Sequence, residues 1–346
     1  MGDFEHGFLA VDGVRIHTVE IGRGPVVLFL HGFPELWYSW RHQMRFLAEQ
    51  GFRAVAIDQR GYGRSSKFWQ PDAYRIGRLV DDVVGVVKAL QAGPAVVVGH
   101  DWGAPVAWTA AWCHPDAFRG VLGMSVPFSG RQLIALPGNP FGEHALAPNE
   151  FHAELAGPGQ DFYQTYFGAL GPVIDEFEAD ARGWIRDIVY SVSGEGLIEA
   201  GFSLAAADPV TLIRQSALCI PHGETMRARF STPKRMPDWF TAADLDVFAA
   251  EYERTGLAGP LNYYRNLHAD WHDLAAQAAR PLEVPAFFLG ADLDVATWWG
   301  AEAIERAAER ISQWRGHHIF ERCGHWLQQE RADDTNRVLL DFLRTL

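Results

Sequence analysis

Apolar residues along this chain follow two alternating patterns. Short runs of apolar, often β-branched residues indicate strands buried in a sheet, whereas apolar residues that recur every three or four positions indicate amphipathic helices. The runs predict strands at 8–11, 14–19, 25–30, 52–57, 95–98, 121–125, 285–289 and 317–320. Helical periodicity predicts helices at 40–50, 74–90 and 333–346. Because strands and helices alternate, we expect an α/β fold with a mostly parallel sheet and helices on both faces.

The alternation is interrupted in the middle of the chain. Residues 127–158 are rich in Pro and Gly and show no sustained periodicity. A connection this long inside a compact domain is commonly functional, for example as part of a lid over a site. Residues 161–272 then follow with a helical pattern rich in Trp, Tyr and Phe. We therefore predict a core formed by residues 1–127 and 277–346, interrupted by a connecting loop and helical lid at residues 128–276.

The composition limits the cellular locations and the binding partners that we expect for this protein. Of the 346 residues, 48% are hydrophobic and 21% charged, as is usual for a globular protein with a large core. The net charge of −13 argues against nucleic acid or an anionic membrane as a partner. The N-terminal residues lack a signal-peptide pattern, no apolar run approaches the ~18 residues of a membrane span, and three cysteines form no disulfide framework. We expect a cytoplasmic protein without membrane insertion, and the sequence leaves a homodimer open.

One strand runs directly into a tight turn that carries candidate chemistry. The strand at 95–98 continues through Gly99-His100-Asp101-Trp102-Gly103 into a buried helical pattern. Such a turn needs small residues around its centre and presents the central side chain outward, as in a nucleophile elbow. If a carboxylate attacked an acyl group, as the serine of an esterase does, the product would be a mixed anhydride. Asp101 is therefore suited instead to attack an electrophilic alkyl carbon and form an ester that is then hydrolysed. A bare G-x-D-x-G pattern arises by chance in a Gly-rich chain, but the flanking strand and helix favour the functional interpretation.

Further candidate residues follow the other buried strands. The loop after the strand at 25–30 reads His31-Gly32-Phe33-Pro34-Glu35 and could aim a backbone N–H group at an oxyanion. Carboxylates at 292–294 follow the strand at 285–289, and His325 follows the last strand. The resulting order of nucleophile, acid and histidine is that of a known class of catalytic triad. These residues alone do not decide between the two aspartates at 292 and 294.

Two other motifs are poor candidates for a cofactor or a metal. Gly61 and Gly63 with Asp81 twenty residues later resemble part of a dinucleotide-binding fingerprint, but the third glycine is absent and Asp81 lies in a helical pattern. His268 and His272 are four residues apart, but the Glu of the zinc motif H-E-x-x-H is missing. The sequence therefore predicts no metal and no cofactor.

Taken together, the motifs resemble those of one family. HGFPE, DQRGYGRSS, GHDWGAPVAWT, YQTYF, GPLNYYRN and CGHW extend nearly from end to end of the chain. In this combination the sequence resembles the α/β-hydrolase epoxide hydrolases, and most closely the actinobacterial epoxide hydrolase B group. The resemblance implies an α/β-hydrolase fold with a lid, a small-molecule epoxide as substrate, a vicinal diol as product and no cofactor.

The resemblance also assigns roles to the candidate triad. The GHDWG match makes Asp101 the nucleophile that becomes alkylated, and the CGHW match makes His325 the general base. The G-x-x-x-D-V match selects Asp294, rather than Asp292, as the carboxylate that orients His325.

The two aromatic clusters of the predicted lid acquire a role in the same way. By themselves, aromatic residues in a helical segment more often pack than catalyse. The family pattern makes Tyr163 and Tyr264 the phenols that bind the epoxide oxygen, and the choice over Tyr166 and Tyr263 rests on that pattern alone. A phenol with a pKa of about 10 is a better proton donor than water to the alkoxide that forms when an epoxide opens.

Phe33 and Trp102 complete the set that the resemblance implies. Their backbone N–H groups form the expected oxyanion hole, and Trp102 is also expected to contact the substrate. A haloalkane or haloacid dehalogenase is the alternative, because those enzymes also use an aspartate at the elbow. Trp102 would suit one half of a halide site, but Phe33 offers no side-chain donor for the other half. A catalytically inactive binding protein is less favoured, because every catalytic position is filled.

Overall fold

The computed structural model describes residues 4–143, 146–202 and 208–346, and in that part of the chain an eight-stranded sheet forms the centre of the molecule. The strands are β1 (Glu5–Val11), β2 (Val14–Gly22), β3 (Val26–Leu30), β4 (Arg53–Ile57), β5 (Ala95–His100), β6 (Phe118–Met124), β7 (Gln160–Phe162), β8 (Cys219–Pro221), β9 (Ala286–Ala291) and β10 (Trp314–Phe320). The sheet order is β1-β2-β4-β3-β5-β6-β9-β10. Within this sheet, β4, β3, β5, β6, β9 and β10 are parallel to one another, and β2 is antiparallel to both of its neighbours. Strands β7 and β8 lie outside it. The predicted α/β fold is confirmed.

The strand sequences explain this arrangement. β3 consists of five apolar residues that are all buried, as expected for an interior strand covered on both faces. β1 and β2 form a hairpin in which Val11 pairs with Val14. Asp12 and Gly13 between them both have positive φ angles, which a two-residue turn of this kind requires.

Helices cover both faces of the sheet, and further helices lie in the segment between β6 and β9. They are α1 (Arg41–Glu49), α2 (Ile76–Leu90), α3 (Gly103–Cys113), α4 (Pro148–Ala156), α5 (Tyr163–Gly168), α6 (Gly171–Ala179), α7 (Ala181–Ser191), α8 (Gly194–Glu199), α9 (Pro209–Gln215), α10 (Ala242–Thr255), α11 (Ala258–Arg265), α12 (Leu267–Asp273), α13 (Val295–Trp299), α14 (Ala301–Glu305), α15 (Ala307–Arg310), α16 (Leu327–Glu330) and α17 (Ala332–Leu343). Helices α1 and α17 pack together on one face, and α2 and α3 pack together on the other. Strand β5, which precedes Asp101, is therefore buried in the middle of the sheet, whereas β10, which precedes His325, lies at its edge.

The segment that joins β6 to β9 contains α4 to α12 and lies over the carboxyl ends of the strands. It is less uniform than the sequence pattern indicates. Helix α4 lies within the stretch that shows no periodicity, and β7 pairs with β8 inside the stretch expected to be helical. These strands have three residues each, too few to produce a recognisable alternation. No helix in the described ranges is both long and apolar enough to span a bilayer.

Candidate active site

Asp101 occupies the tight turn between β5 and α3. Its φ angle is +49°, in the left-handed region that few non-glycine residues adopt. The turn is possible because Gly99 and Gly103 allow the backbone segments to approach closely: a Cβ atom on Gly103 would collide with the carbonyl group of Leu30. The Asp101 side chain therefore projects from the carboxyl end of β5, as the elbow motif predicts.

The loop after β3 lies directly against this carboxylate. The backbone N–H of Phe33 donates a hydrogen bond to Asp101 Oδ1 over 2.6 Å, and the N–H of Trp102 faces the same carboxyl group. Gly32 makes the approach possible, because a Cβ atom there would collide with the Asp101 side chain. The two N–H groups expected to form an oxyanion hole thus lie together at the Asp101 carboxyl group.

Burial and neighbouring charges act on the Asp101 carboxyl group in opposite directions. Burial raises its pKa above the ordinary value. Electrostatic interactions with His325 and His100 limit this rise in pKa, and so do the hydrogen bonds from the backbone N–H groups of Phe33 and Trp102. The carboxylate is therefore poorly solvated but held in place by donors, a suitable state for a nucleophile that must attack carbon.

His325 lies between two carboxylates. Its Nε2 atom is 3.6 Å from Asp101 Oδ2, and its Nδ1 atom is 3.0 Å from Asp294 Oδ1. Burial by itself would lower the pKa of His325, but the charge and hydrogen bond of Asp294, together with the charge of Asp101, raise it to about 9. The imidazole therefore carries a proton at neutral pH as long as both carboxylates are ionised.

Asp294 is fixed by its own set of donors at the start of α13. The N–H of Ala296 donates to its Oδ1 atom, and the Thr297 hydroxyl donates to its Oδ2 atom over 3.0 Å. Burial raises the pKa of Asp294, but the interactions with His325 and with the Ser125 hydroxyl outweigh this effect and lower it below its ordinary value.

The side chain of Asp292, the alternative acid, makes a different contact. Its Oδ1 atom accepts a hydrogen bond from the N–H of Cys323. The structure thus brings Asp294, and not Asp292, to His325.

A buried pair that the sequence reasoning missed connects the loop after β3 to the end of β5. Glu35 Oε2 lies 2.7 Å from His100 Nδ1 and accepts a hydrogen bond from the N–H of Gly32. The other nitrogen of His100 lies 2.7 Å from the carbonyl oxygen of His325. Burial raises the pKa of Glu35, but His100 outweighs that effect and lowers it to about 2. Glu35 lies in the HGFPE motif and His100 in the GHDWG motif. A titratable residue inside each motif was therefore the sequence feature that could have pointed to this pair.

A cavity of about 310 Å³ lies beside the Asp101 carboxyl group. Asp101 and His325 form one part of its wall, and Tyr163 and Tyr264 contribute from the segment between β6 and β9. The centroids of the two phenol rings are 6.1 Å apart. The remaining wall is mainly apolar and includes Phe33, Trp102, Phe167, Ile188, Leu218 and Trp299. A small apolar molecule in this cavity would contact the carboxylate and both phenols.

The structure distinguishes these tyrosines from their neighbours. The Tyr263 hydroxyl donates to the backbone carbonyl of Arg60 over 2.9 Å, in the core rather than in the cavity beside Asp101. Tyr166 lies beside Glu176. Burial raises the pKa of both Tyr163 and Tyr264, and the nearby Asp101 charge raises each of them further. Both phenols are therefore protonated and able to donate.

The weaker motifs form no comparable site. Gly63 packs against the Asp58 carboxylate in a turn, and a Cβ atom there would collide with it. His268 and His272 contact each other edge to face. Among the described residues, no group of three or more His, Cys, Asp or Glu side chains is arranged to hold a metal ion.

Comparison with known proteins relates the whole chain to one family. Residues 25–167 match the family model for the alpha/beta hydrolase fold. Epoxide hydrolase B of Mycobacterium tuberculosis is 53% identical over 98% of each chain. Epoxide hydrolase A of the same organism is 35% identical over 100% of this chain and 99% of its own.

Solved structures give the same result. An epoxide hydrolase from an endophytic Streptomyces superimposes with a TM-score of 0.87 at 42% identity, covering 99% of this chain and 95% of its own. Epoxide hydrolase A from Mycobacterium thermoresistibile superimposes with a TM-score of 0.85 at 34% identity, covering 99% and 98%. The chain described here, with its aspartate elbow and its tyrosine-lined cavity, belongs to the epoxide hydrolases of the α/β-hydrolase fold.

Proposed function

We propose that this protein converts an epoxide and water into a vicinal diol through an ester between the substrate and Asp101. One observation carries the proposal: a largely buried carboxylate at the turn between β5 and α3 and two phenols line the same small apolar cavity. A carboxylate can open an epoxide at carbon, and a phenol can protonate the oxygen that this opening releases. The apolar wall is suited to a substrate that presents mainly hydrocarbon around the oxirane ring.

In the first half-reaction, Asp101 attacks one oxirane carbon. The carbon–oxygen bond breaks, its electron pair remains on oxygen, and Tyr163 or Tyr264 supplies the proton. The product is a hydroxyalkyl ester of Asp101 together with one phenolate. Because the enzyme binds both ends of the breaking bond, attack and protonation occur in one step.

In the second half-reaction, His325 acts as a base toward water. Ester formation removes the Asp101 charge, one of the two carboxylate charges that raise the pKa of His325. The imidazolium can then release its proton, which restores the phenol through solvent. Neutral His325 takes a proton from a water molecule that attacks the ester carbonyl. Collapse of the tetrahedral intermediate leaves the carboxyl proton on the departing diol and restores both the Asp101 carboxylate and the imidazolium.

The remaining residues stabilise charge in this second step. Asp294 holds His325 in orientation and stabilises its protonated form. The backbone N–H groups of Phe33 and Trp102 are placed to receive the oxyanion, and one such donor is typically worth about 3 kcal/mol in a transition state.

Intact-protein mass spectrometry of two variants tests the proposal. With a reactive epoxide, His325→Gln should accumulate an adduct whose mass equals the whole substrate, because an epoxide adds without a leaving group. Asp101→Ala should form no adduct. A haloalkane would instead add only its alkyl group, so the same measurement distinguishes a dehalogenase.

Isotope placement provides an independent check on the wild type. In a single turnover in ¹⁸O-labelled water, the label should enter the Asp101 carboxylate, and the diol should receive an unlabelled oxygen. Label found in the first-turnover diol would mean that water attacks the epoxide directly, and the covalent mechanism would be wrong.

A further inference from the structure

Gln164, the residue after Tyr163 in α5, makes a buried contact that the mechanism above does not use. Only 1% of Gln164 is exposed. Its Nε2 group donates a hydrogen bond to the phenol oxygen of Tyr163 over 2.9 Å. Its Oε1 atom is buried and has no hydrogen-bond partner among the residues that the structure describes. A buried amide with one unsatisfied atom is costly, which favours a functional reason for its position.

The direction of this hydrogen bond determines where the Tyr163 proton can point. A phenol oxygen carries one proton and accepts through its lone pairs. Because Gln164 already donates to that oxygen, the Tyr163 proton cannot point at Gln164 and is free to face the cavity. The opposite polarity, in which Tyr163 donates to the amide oxygen, would withdraw the proton from the substrate.

The same hydrogen bond also affects how readily Tyr163 gives up its proton. Burial and the Asp101 charge raise the pKa of Tyr163, which makes the phenol a weaker acid, whereas the Gln164 donor lowers it. A donor stabilises a phenolate more than a phenol, because hydrogen bonds to ionised acceptors are stronger. The benefit is therefore greatest while the proton is leaving.

We infer that Gln164 is a positioning residue for epoxide opening, an inference that rests on the proposed function. It directs the Tyr163 proton at the oxirane oxygen and stabilises the phenolate that remains. During this step the carbon–oxygen electron pair goes to the oxirane oxygen, which takes the Tyr163 proton, and Asp101 forms the new bond to carbon. Gln164 exchanges no proton and acts on the substrate only through Tyr163.

Single-turnover kinetics with Gln164→Leu provide the first test. The rate of alkylation should fall about tenfold, the effect of losing one hydrogen bond to an ionising group. Hydrolysis of the ester, measured separately as decay of the adduct, should keep its rate, because Tyr163 takes no part in the attack of water on the ester. Gln160→Leu is the matched control: Gln160 donates instead to the Ala156 carbonyl, so its loss should leave both rates unchanged.

Gln164→Glu reverses the polarity of the contact. An ionised glutamate accepts from Tyr163 and holds its proton away from the substrate, so alkylation at neutral pH should be slower than with leucine. As the pH falls and the glutamate becomes protonated, it can donate again and the rate should recover relative to the wild type. A purely structural role for Gln164 predicts no such pH dependence.

A double-mutant cycle identifies the residue through which Gln164 acts. In a Tyr163→Phe background, Gln164→Leu should cause no further loss, whereas in a Tyr264→Phe background its full effect should remain. An equal loss in both backgrounds, or wild-type alkylation by Gln164→Leu, would overturn the inference. If His325→Gln forms no adduct, the proposed function itself fails, so the two failures are distinguishable. Thermal unfolding of each variant checks that the fold is intact.

Discussion

At the scale of single residues, the position of His325 between two carboxylates determines its protonation. Asp294 and Asp101 both stabilise the imidazolium, but only Asp294 would keep its charge after the proposed ester forms. In the proposed mechanism, His325 is therefore protonated before alkylation and becomes a base when water must be activated. Its pKa is coupled to the chemical state of Asp101.

An NMR titration of His325 tests this coupling. In the wild type we expect a pKa of about 9, and in Asp101→Asn a value lower than this, because the asparagine carries no negative charge. Asp292→Asn is the control, since Asp292 accepts from the N–H of Cys323 instead. An unchanged pKa in Asp101→Asn would show that the Asp101 charge does not act on the imidazole.

Asp294 and Asp292 should also differ in catalysis. Asp294→Asn removes the charge that orients His325, so we expect ester hydrolysis to slow by about two to four orders of magnitude while the adduct accumulates. Asp292→Asn should change the rate little. The measurement is the decay rate of the alkylated enzyme in each variant, and the reverse ranking would assign the acid to Asp292.

At the scale of elements, a carboxylate from α12 caps a helix of the core. Asp270 Oδ1 accepts a hydrogen bond from the backbone N–H of Ile76, the first residue of α2, over 2.9 Å. The contact joins the segment between β6 and β9 to the core helix that precedes β5. Asp270 is 1% exposed, and this burial raises its pKa to about 7.

Asp270→Asn should therefore stabilise the protein in a pH-dependent way. Because the folded-state pKa of Asp270 lies above the unfolded value of about 4, its ionisation costs stability as the pH rises from about 4 to 7. Asparagine keeps the carbonyl acceptor without a charge, so its advantage in Tm should be larger at pH 8 than at pH 5, by about 2 °C or more. Differential scanning calorimetry at both pH values measures this.

The neighbouring Asp273 provides the control for that experiment. It pairs with Arg75 at the surface, where half of its side chain is exposed, and exposed ion pairs contribute little to stability. Asp273→Asn should therefore change Tm little at either pH. A Tm advantage of Asp270→Asn that is the same at pH 5 and pH 8 would contradict the assigned cost of ionisation.

At the scale of the whole molecule, the sequence predicts the sheet well because its signals are local. Buried β-branched runs such as that of β3 and the glycines of the elbow depend on a few adjacent residues. The α/β fold and the strand-to-helix turn at Asp101 follow from them. Helix α2 begins at Ile76 rather than at 74, because Pro71–Tyr74 form a short 3-10 turn first.

Features that depend on distant contacts were not predictable in this way. The pairing of β7 with β8 involves strands of three residues, and the contact between Glu35 and His100 joins the loop after β3 to the end of β5, 65 positions later. Periodicity could not decide between Tyr263 and Tyr264, because both are buried on the same helix. Only the packing of α11 turns one hydroxyl to the Arg60 carbonyl and the other to the cavity.

The place where the segment between β6 and β9 enters the chain has a further consequence for the proposed chemistry. Asp101, Asp294 and His325 all follow strands of the central sheet, whereas both phenols belong to the inserted segment. In the proposed mechanism, the residues that follow these strands remove the alkyl group from Asp101, whatever electrophile delivered that group. The inserted segment supplies the two phenols that assist the departing oxygen, and it shares the cavity wall with core residues such as Phe33, Trp102 and Trp299. In the proposed mechanism, replacing the phenols would therefore change which electrophile can be opened, with no change to the steps that regenerate the enzyme.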